Sequence, residues 1–517
     1  MYDAPICQFF MRIIMVLLQL CKFIPTLSTA ILSFVIFSFI NILTPIPGHS
    51  QVLKQEKHFA QLHAAGLPGN SISTILVQGT NVWLGTGRGL SMTSDGGVTF
   101  IDFTGNPGIG KGGVSALAEH NGAIWVATAY DTVIEGTNLT AGGGLSRSID
   151  AGITWHHISQ PVDPNNEDSL GYKPTTTNIL NVTFDIAIDD SAIWITSWGG
   201  GLRKSNDNGA TWTVVTPDGY SFDVLAHLNH RAFSVITAKN GLWVGTAGGI
   251  NKSTDGGLTW TNYTAQNGSG ISGNFVTALA EQITIDGSII WAATWKAEGE
   301  DEFYGVSRTT NNGLTWETML EGEFAHNFGF NGDEVYVAAD DGLYKSPDRG
   351  KTWGLFPWIT DSNTGERILT TEYFDVKYHE GNLWIGTDDG LIKSTDGGIS
   401  WNIFRAFTMP GASGEPAAYA YPNPFSPLRH NRIGGSGYVR IQYRTYSNTE
   451  VTLDIFDFGM NLVKNVVSNR PRAGGESYAE TWDGTNNWGV IVANGVYFYR
   501  LKIKDQPTFW GKIIVVN

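Results

Sequence analysis

The sequence predicts an all-β protein in which one four-stranded unit occurs seven times and a small β-sandwich follows. Three observations carry this. Gly at 63 and Trp at 18 in 517 residues, with few helix-type charge patterns, indicate many short strands joined by tight turns. The string KSTDGGLTWT at 252–261 returns almost unchanged as KSTDGGISWN at 393–402. From Tyr421 that rhythm gives way to period-2 alternation with closely spaced turns.

Residues 1–50 stand apart. Lys22 precedes an apolar run from Phe23 to Leu43, and Gly48-His49-Ser50 before Gln51 has the small-x-small form of a cleavage site. The segment reads as an export signal, either a cleaved signal peptide or a retained N-terminal anchor. Met11 is an alternative start. Cys21 follows Leu20 where a lipoprotein site takes a small residue, which argues against lipid anchoring. Cys7 and Cys21 are the two cysteines, so the chain beyond the leader has no thiol nucleophile, thiolate ligand or disulfide. Packing alone must hold it after export.

The repeat appears as TSDGGVTF (93–100), SIDAGITW (148–155), SNDNGATW (205–212), STDGGLTW (253–260), TNNGLTW (310–316), SPDRGKTW (346–353) and STDGGISW (394–401). Its spacing of about 50 residues suits a four-stranded unit with insertions. The turn position holds Asp95, Asp150, Asp207, Asp255, Asn311, Asp348 and Asp396. Each copy follows a β-type run with an aromatic at one fixed place, such as VWLGT, IWVAT or VYVAA, and then GL or a relative. One unit therefore reads as strand A, a short turn, strand B with its aromatic, a second turn, strand C, the Asp turn, and strand D opening on Thr-Trp. The Asp accepts backbone N–H groups, a Gly supplies positive φ, and the Trp brings a large apolar surface. Repetition favours a hairpin clamp over a calcium or sugar site, because a ligand has no need of seven equal sites.

These residues resemble the Asp-box, or BNR, repeat of sialidases, sortilin-type receptors, some glucan hydrolases and a photosystem assembly factor, over about residues 57–408. The resemblance implies a seven-bladed β-propeller, assigned to residues 51–408, and no particular chemistry.

Strand parity sorts the connections. The B-to-C turns and the D-to-A links share one face, while the A-to-B turns and the Asp motifs share the other. The long segments 129–144, 295–305, 159–182 and 357–371 all fall on the first face, as expected for a binding face. Of the 18 tryptophans, twelve occupy the two repeat positions and Trp482, Trp488 and Trp510 lie near the C-terminus. The other three, Trp198, Trp295 and Trp358, stand in connections on the insertion-rich face. The place of Trp198 and Trp295 is taken in other units by Gly87, Ala129, Ala247, Asp340 and Asp388. Flat aromatics beside Glu298, Glu300, Asp301, Asp340 and Asp388 suit a polar ring-shaped ligand such as a glycan. The competing reading is that the tryptophans brace long loops and the carboxylates are solvated.

A net charge of −15 argues against nucleic acid and anionic membrane surfaces as partners. No zinc spacing, HExxH, P-loop or GxSxG element is present, and no metal or cofactor is expected. Sialidases carry an Arg triad and a Phe-Arg-Ile-Pro element on six blades; FRAF at 404–407 is the nearest string and lacks the Pro. Xyloglucanase-like enzymes place paired carboxylates between two propellers, and this chain has repeats for one. His227 and His230 in AHLNHR read as local packing or turn residues rather than metal ligands.

FRAFTMPGASGEPAA contains a linker, residues 409–419, rich in Pro, Gly and Ala. Residues 420–517 carry YPNPF, IFDFGMNLV and TWDGTNNWGVIVANGVYFYRL, which resemble the FlgD-like immunoglobulin domain and the type A sorting domain of the type IX secretion system. FSP stands where FNP is commoner. The resemblance implies delivery across an outer membrane through the secretion machinery; the alternative is a plain immunoglobulin-like spacer. The expectation for the whole chain is an exported binding module for glycan or protein, with no catalytic residue assigned. A secreted glycoside hydrolase and an extracytoplasmic assembly factor are the alternatives. Membrane contact is expected only through an uncleaved leader, and the cellular site is the extracellular space or cell surface, with the periplasm as alternative.

Overall fold

The computed structural model describes residues 67–165, 171–297, 299–411, 414–429, 431–435 and 437–517. The leader, both cysteines and Glu298 lie outside the described residues. No helix among the described residues is long and apolar enough to cross a membrane.

The described chain is all-β apart from one 3-10 turn at Leu228–His230. It forms seven four-stranded antiparallel sheets, each made of four strands consecutive in sequence. Their first strands are Ile72–Gln78, Gly113–His120, Thr183–Ile188, Ala232–Ala238, Phe275–Thr284, Ala325–Asn331 and Tyr373–His379, which number sheets 1 to 7. Each first strand touches that of the next sheet, and the strand of sheet 7 returns to that of sheet 1, so the array is a propeller-like ring.

The aromatic of each second strand explains why neighbouring sheets stack. Trp83, Trp194, Trp243 and Trp291 are fully buried, and each faces the Asp turn of the following sheet. The second Gly of that turn makes the fit possible. Gly257 has φ +89°, and a Cβ there would lie 2.6 Å from Cη2 of Trp194. Gly152 beneath Trp83 and Gly350 beneath Trp291 repeat the arrangement. A cation on the third strand adds a bond. Lys204, Lys252 and Lys393 lie over the Trp rings of their own sheets at 4.8–5.0 Å and donate to Gly256 O, Asn312 O and Gly96 O of the next sheet. The closing seam between sheets 7 and 1 uses the same devices. Leu67, Ile72 and Leu84 pack with Trp384 and Leu391, and Ala406 N donates to Asn70 Oδ1 at 2.6 Å.

After the ring, a three-stranded sheet (Ala418–Tyr421, Val439–Arg444, Ser477–Trp482) faces a four-stranded one (Thr449–Phe456, Leu462–Arg472, Gly495–Ile503, Phe509–Val515). Their inner faces share one core around Phe425, Ile441, Leu453, Trp482 and Leu501. Alternating inward residues such as Val451, Leu453 and Ile455 account for it. The stretch between ring and sandwich is not bare spacer: Tyr419 Oη donates to Thr408 O at 2.8 Å, and Met409 Sδ lies 3.6 Å from Arg444 Nη1.

Candidate functional site

The ring encloses a cavity of about 650 Å³ lined by the first strands of all seven sheets. Those strands share an irregularity. Each pairs with its second strand through a register shift that leaves one extra residue: Ser73, Ser115, Phe184, Phe233, Thr277, His326 and Phe374. A bulge re-aims the side chain it carries, and all seven line the cavity at the end nearest the long connections.

The residue after the bulge joins sheets. Asp375 Oδ2 accepts Ile75 N at 2.7 Å, Asp185 Oδ2 accepts Val235 N at 2.9 Å, and Ser234 Oγ accepts Leu279 N at 2.8 Å. In each case the donor sits two residues past the bulge of the following sheet, on a first strand with no sheet partner on its inner side. Burial raises the Asp185 carboxyl to about 6 against the backbone donors that favour its charge. Burial also raises Asp375, with Lys377 at 2.7 Å opposing the shift. Sequence reasoning missed both residues. The signal was there: Phe-Asp stands at 184–185 and again at 374–375, at the same place in two first strands.

Around the mouth the bulged rings of Phe184, Phe233, His326 and Phe374 form an arc with Phe275 and Trp295 of sheet 5. Phe184 lies 5.5 Å from Phe233, Phe233 4.5 Å from Phe275, and Phe275 6.3 Å from Trp295. The arc continues from Trp295 to His326 at 5.5 Å and from His326 to Phe374 at 6.1 Å. It spans sheets 3 to 7. Sheets 1, 2 and 5 carry Ser73, Ser115 and Thr277 at the bulge instead, and in sheet 5 Phe275 and Trp295 carry the arc past it, so the mouth is aromatic along sheets 3 to 7 and small and polar along sheets 1 and 2.

The residues singled out from sequence fare differently. Trp295 is 2% exposed and its Nε1 donates to Ala325 O at 2.9 Å. It is therefore a buried member of the arc and not a platform open to a ligand, because the 295–305 connection folds over it. Trp198 is half-buried against the same cluster, with the Arg231 guanidinium 5.7 Å from its ring. Trp358 is 53% exposed and stacks on Arg367 at 4.3 Å. Asp340 accepts from or pairs with His326 Nε2 at 2.7 Å, Asp388 is half-buried, and Asp301 is exposed. Among the described residues no three His, Cys, Asp or Glu side chains converge to hold a metal.

Two neighbours of the predicted acids are more deeply buried and bonded than the predicted ones. Glu302, 4% exposed, accepts from Asn274 N, Ala297 N, Gly299 N, Gln266 Nε2 and Asn274 Nδ2, and so fixes the 295–305 connection. Asp389, next to Asp388, is fully buried among arginines. Sequence missed an exposed aromatic as well: Tyr220, 63% exposed, stacks on His227 at 5.0 Å and within 6° of parallel. His230 is buried beside them, 2.9 Å from Asp218.

The opposite rim is occupied by its own contacts. Asp255 Oδ1 accepts Ser253 Oγ at 2.8 Å and Thr259 N at 2.9 Å, and Oδ2 accepts Thr259 Oγ1 at 2.6 Å. Asp95, Asp150, Asp207, Asp348 and Asp396 repeat this, and Asn311 keeps the Thr309 and Thr315 N bonds through Oδ1. Hydrogen bonds from Thr259 hold Asp255 at about 2, and those from Thr99 and Thr211 do the same for Asp95 and Asp207.

No family model and no curated protein matches the chain. Solved structures similar to it include PorZ, an essential surface component of the type-IX secretion system of Porphyromonas gingivalis (13% identity, 87% of this chain and 66% of that one, TM-score 0.41). Others are the extracellular domain of the hybrid two-component system BT3049 from B. thetaiotaomicron (13%, 88% and 57%, 0.46) and the GH74 enzyme of Niastella koreensis (14%, 88% and 74%, 0.47). The chain thus spans about two thirds or less of the length of the first two.

Proposed function

We propose that the chain is an exported seven-bladed Asp-box β-propeller carrying an immunoglobulin-like sorting domain at 420–517, and that it works as a binding module for a glycan or protein on its insertion-rich face. One observation carries this reading: the long connections, the aromatic arc and the exposed rings of Tyr220 and Trp358 all lie on one face. The other face presents turns whose acidic groups are satisfied within the turn. Exposed aromatic faces next to acidic loops suit the apolar face and hydroxyls of a sugar ring, or an aromatic-accepting protein patch. Delivery is through the leader and the secretion machinery that reads the C-terminal domain. Membrane contact is confined to an uncleaved leader.

The test is a glycan array probed with the full chain, beside Tyr220→Ala and Trp358→Ala variants. Capture that either substitution weakens at least tenfold supports the reading. Release of reducing ends from a bound glycan would replace it with hydrolysis. Capture unaffected by both substitutions would remove the proposed face from consideration.

A further inference from the structure

The sandwich and the ring meet through buried charge. Asp389, in the second turn of sheet 7, is fully buried and accepts Arg440 Nη1 and Nη2 at 2.7 Å each. Arg405, just past the last strand of the ring, donates to Asp389 Oδ2 at 3.0 Å and to Glu366 Oε2 at 2.8 Å. Glu366 Oε1 in turn accepts Ala479 N of the sandwich at 2.7 Å. Arg472 of the sandwich donates to Thr364 O of the ring at 2.9 Å while holding Glu480 on its own side.

The charges balance only across the boundary. Asp389, Glu366 and Arg405 belong to the ring and sum to −1, whereas Arg440 on the sandwich supplies +1. Loss of Arg440 while the two parts stay docked would leave Asp389 buried with one arginine instead of two, the situation in which breaking a buried ion pair is most costly. The two parts also approach closely: a Cβ on Gly434 would lie 2.6 Å from Thr370 Cβ and 3.3 Å from Thr370 Cα and Asp389 Cβ. Both Asp389 and the 357–371 link belong to the insertion-rich face, so the sandwich stands at its border.

We propose that residues 420–517 form a non-covalent subunit seated on sheet 7 by this ionic clasp, so that cutting the connecting stretch does not release the ring. The partner that the Asp389 surface fits is the chain's own sandwich, recognised by the planar Arg440 guanidinium that it presents two-pronged to the Asp389 carboxylate. A processed chain would then travel and anchor as two pieces in one particle.

The experiment inserts a site-specific protease sequence at the exposed Glu415 of the full chain, cuts it, and runs size-exclusion chromatography in 0.15 M and 1 M salt. Co-elution of both pieces at both salt concentrations is expected, since a buried pair is little screened. Separation of the unsubstituted pieces overturns the proposal. Arg440→Gln, verified as folded before cutting by near-ultraviolet dichroism, is expected to let the pieces separate. If its pieces stay together as firmly, the clasp is not what joins them. Should Arg440→Gln fail to fold, Glu366→Gln, which retains the Asp389 pair but weakens the Arg405 and Ala479 bonds, takes its place with partial release in 1 M salt expected and unchanged co-elution counting against the proposal.

Discussion

The two rims of the ring solve different problems with the same residue types. On the Asp-turn rim, tryptophan, aspartate and glycine recur at fixed places. Trp83, Trp194, Trp243 and Trp291 are each sealed by the next sheet's Gly, and each Asp is bonded within its own turn. On the other rim, aromatics appear at irregular intervals, in connections of different lengths, and two, Tyr220 and Trp358, remain open to solvent. A repeated residue on this scaffold is a joint between neighbours; an unrepeated one is either buried by its own connection, as Trp295 is, or left exposed, as Tyr220 and Trp358 are.

That contrast can be broken by substitution. Trp243→Ala empties a fully buried site between sheets 4 and 5 and should cost about 3–5 kcal/mol in urea unfolding. Trp358→Ala, at the half-exposed site, should stay within about 0.5 kcal/mol of the parent. Equal losses would erase the distinction between the rims. Gly257→Ala comes next, because the new methyl meets Trp194 and the φ of +89° is unfavourable; about 1–3 kcal/mol is expected. Gly219→Ala is its control on the other rim, with φ +73° and open space around it, and should cost about 1 kcal/mol from φ alone.

The pH profile sharpens the comparison. Asp95, Asp207 and Asp255 have folded values of about 2, and Asp150 and Asp396 are lowered as well, so the contribution of these groups is complete above about pH 4 and is lost as pH falls toward 2. Asp185 is raised to about 6, so the stability linked to it is complete below about pH 4 and is lost as pH rises through 6. Thermal unfolding followed across pH 2–8 should therefore show greatest stability between about 4 and 5. Asp185→Asn should flatten the neutral side and leave the acid side unchanged. This effect is the smallest of the set.

Much of the ring was legible because it repeats: seven turns and seven aromatic runs locate every hairpin, and parity separates the two rims. The pieces that sequence reading missed are those that depend on what lies across space. Trp295 has the same neighbours in sequence as an exposed residue would; only the folded 295–305 connection and the Ala325 carbonyl bury it. Asp388 and Asp389 are adjacent and chemically identical, yet Arg440, 51 residues away, engages the second. Sequence spacing could not choose between them. Glu302 was passed over for its exposed neighbours for the same reason, since the four residues that donate to it come from three separate segments.

Each sheet is spun from one uninterrupted length of chain, and the first and last are joined by side chains and a few cross-bonds rather than by a common strand. Under tension applied at its two ends, such a circle has a preordained place to part. A load applied between the start of the first sheet and the sandwich would open it there like a clasp bracelet, leaving six sheet boundaries intact, and the sandwich seated beside that join is positioned to bear the strain first.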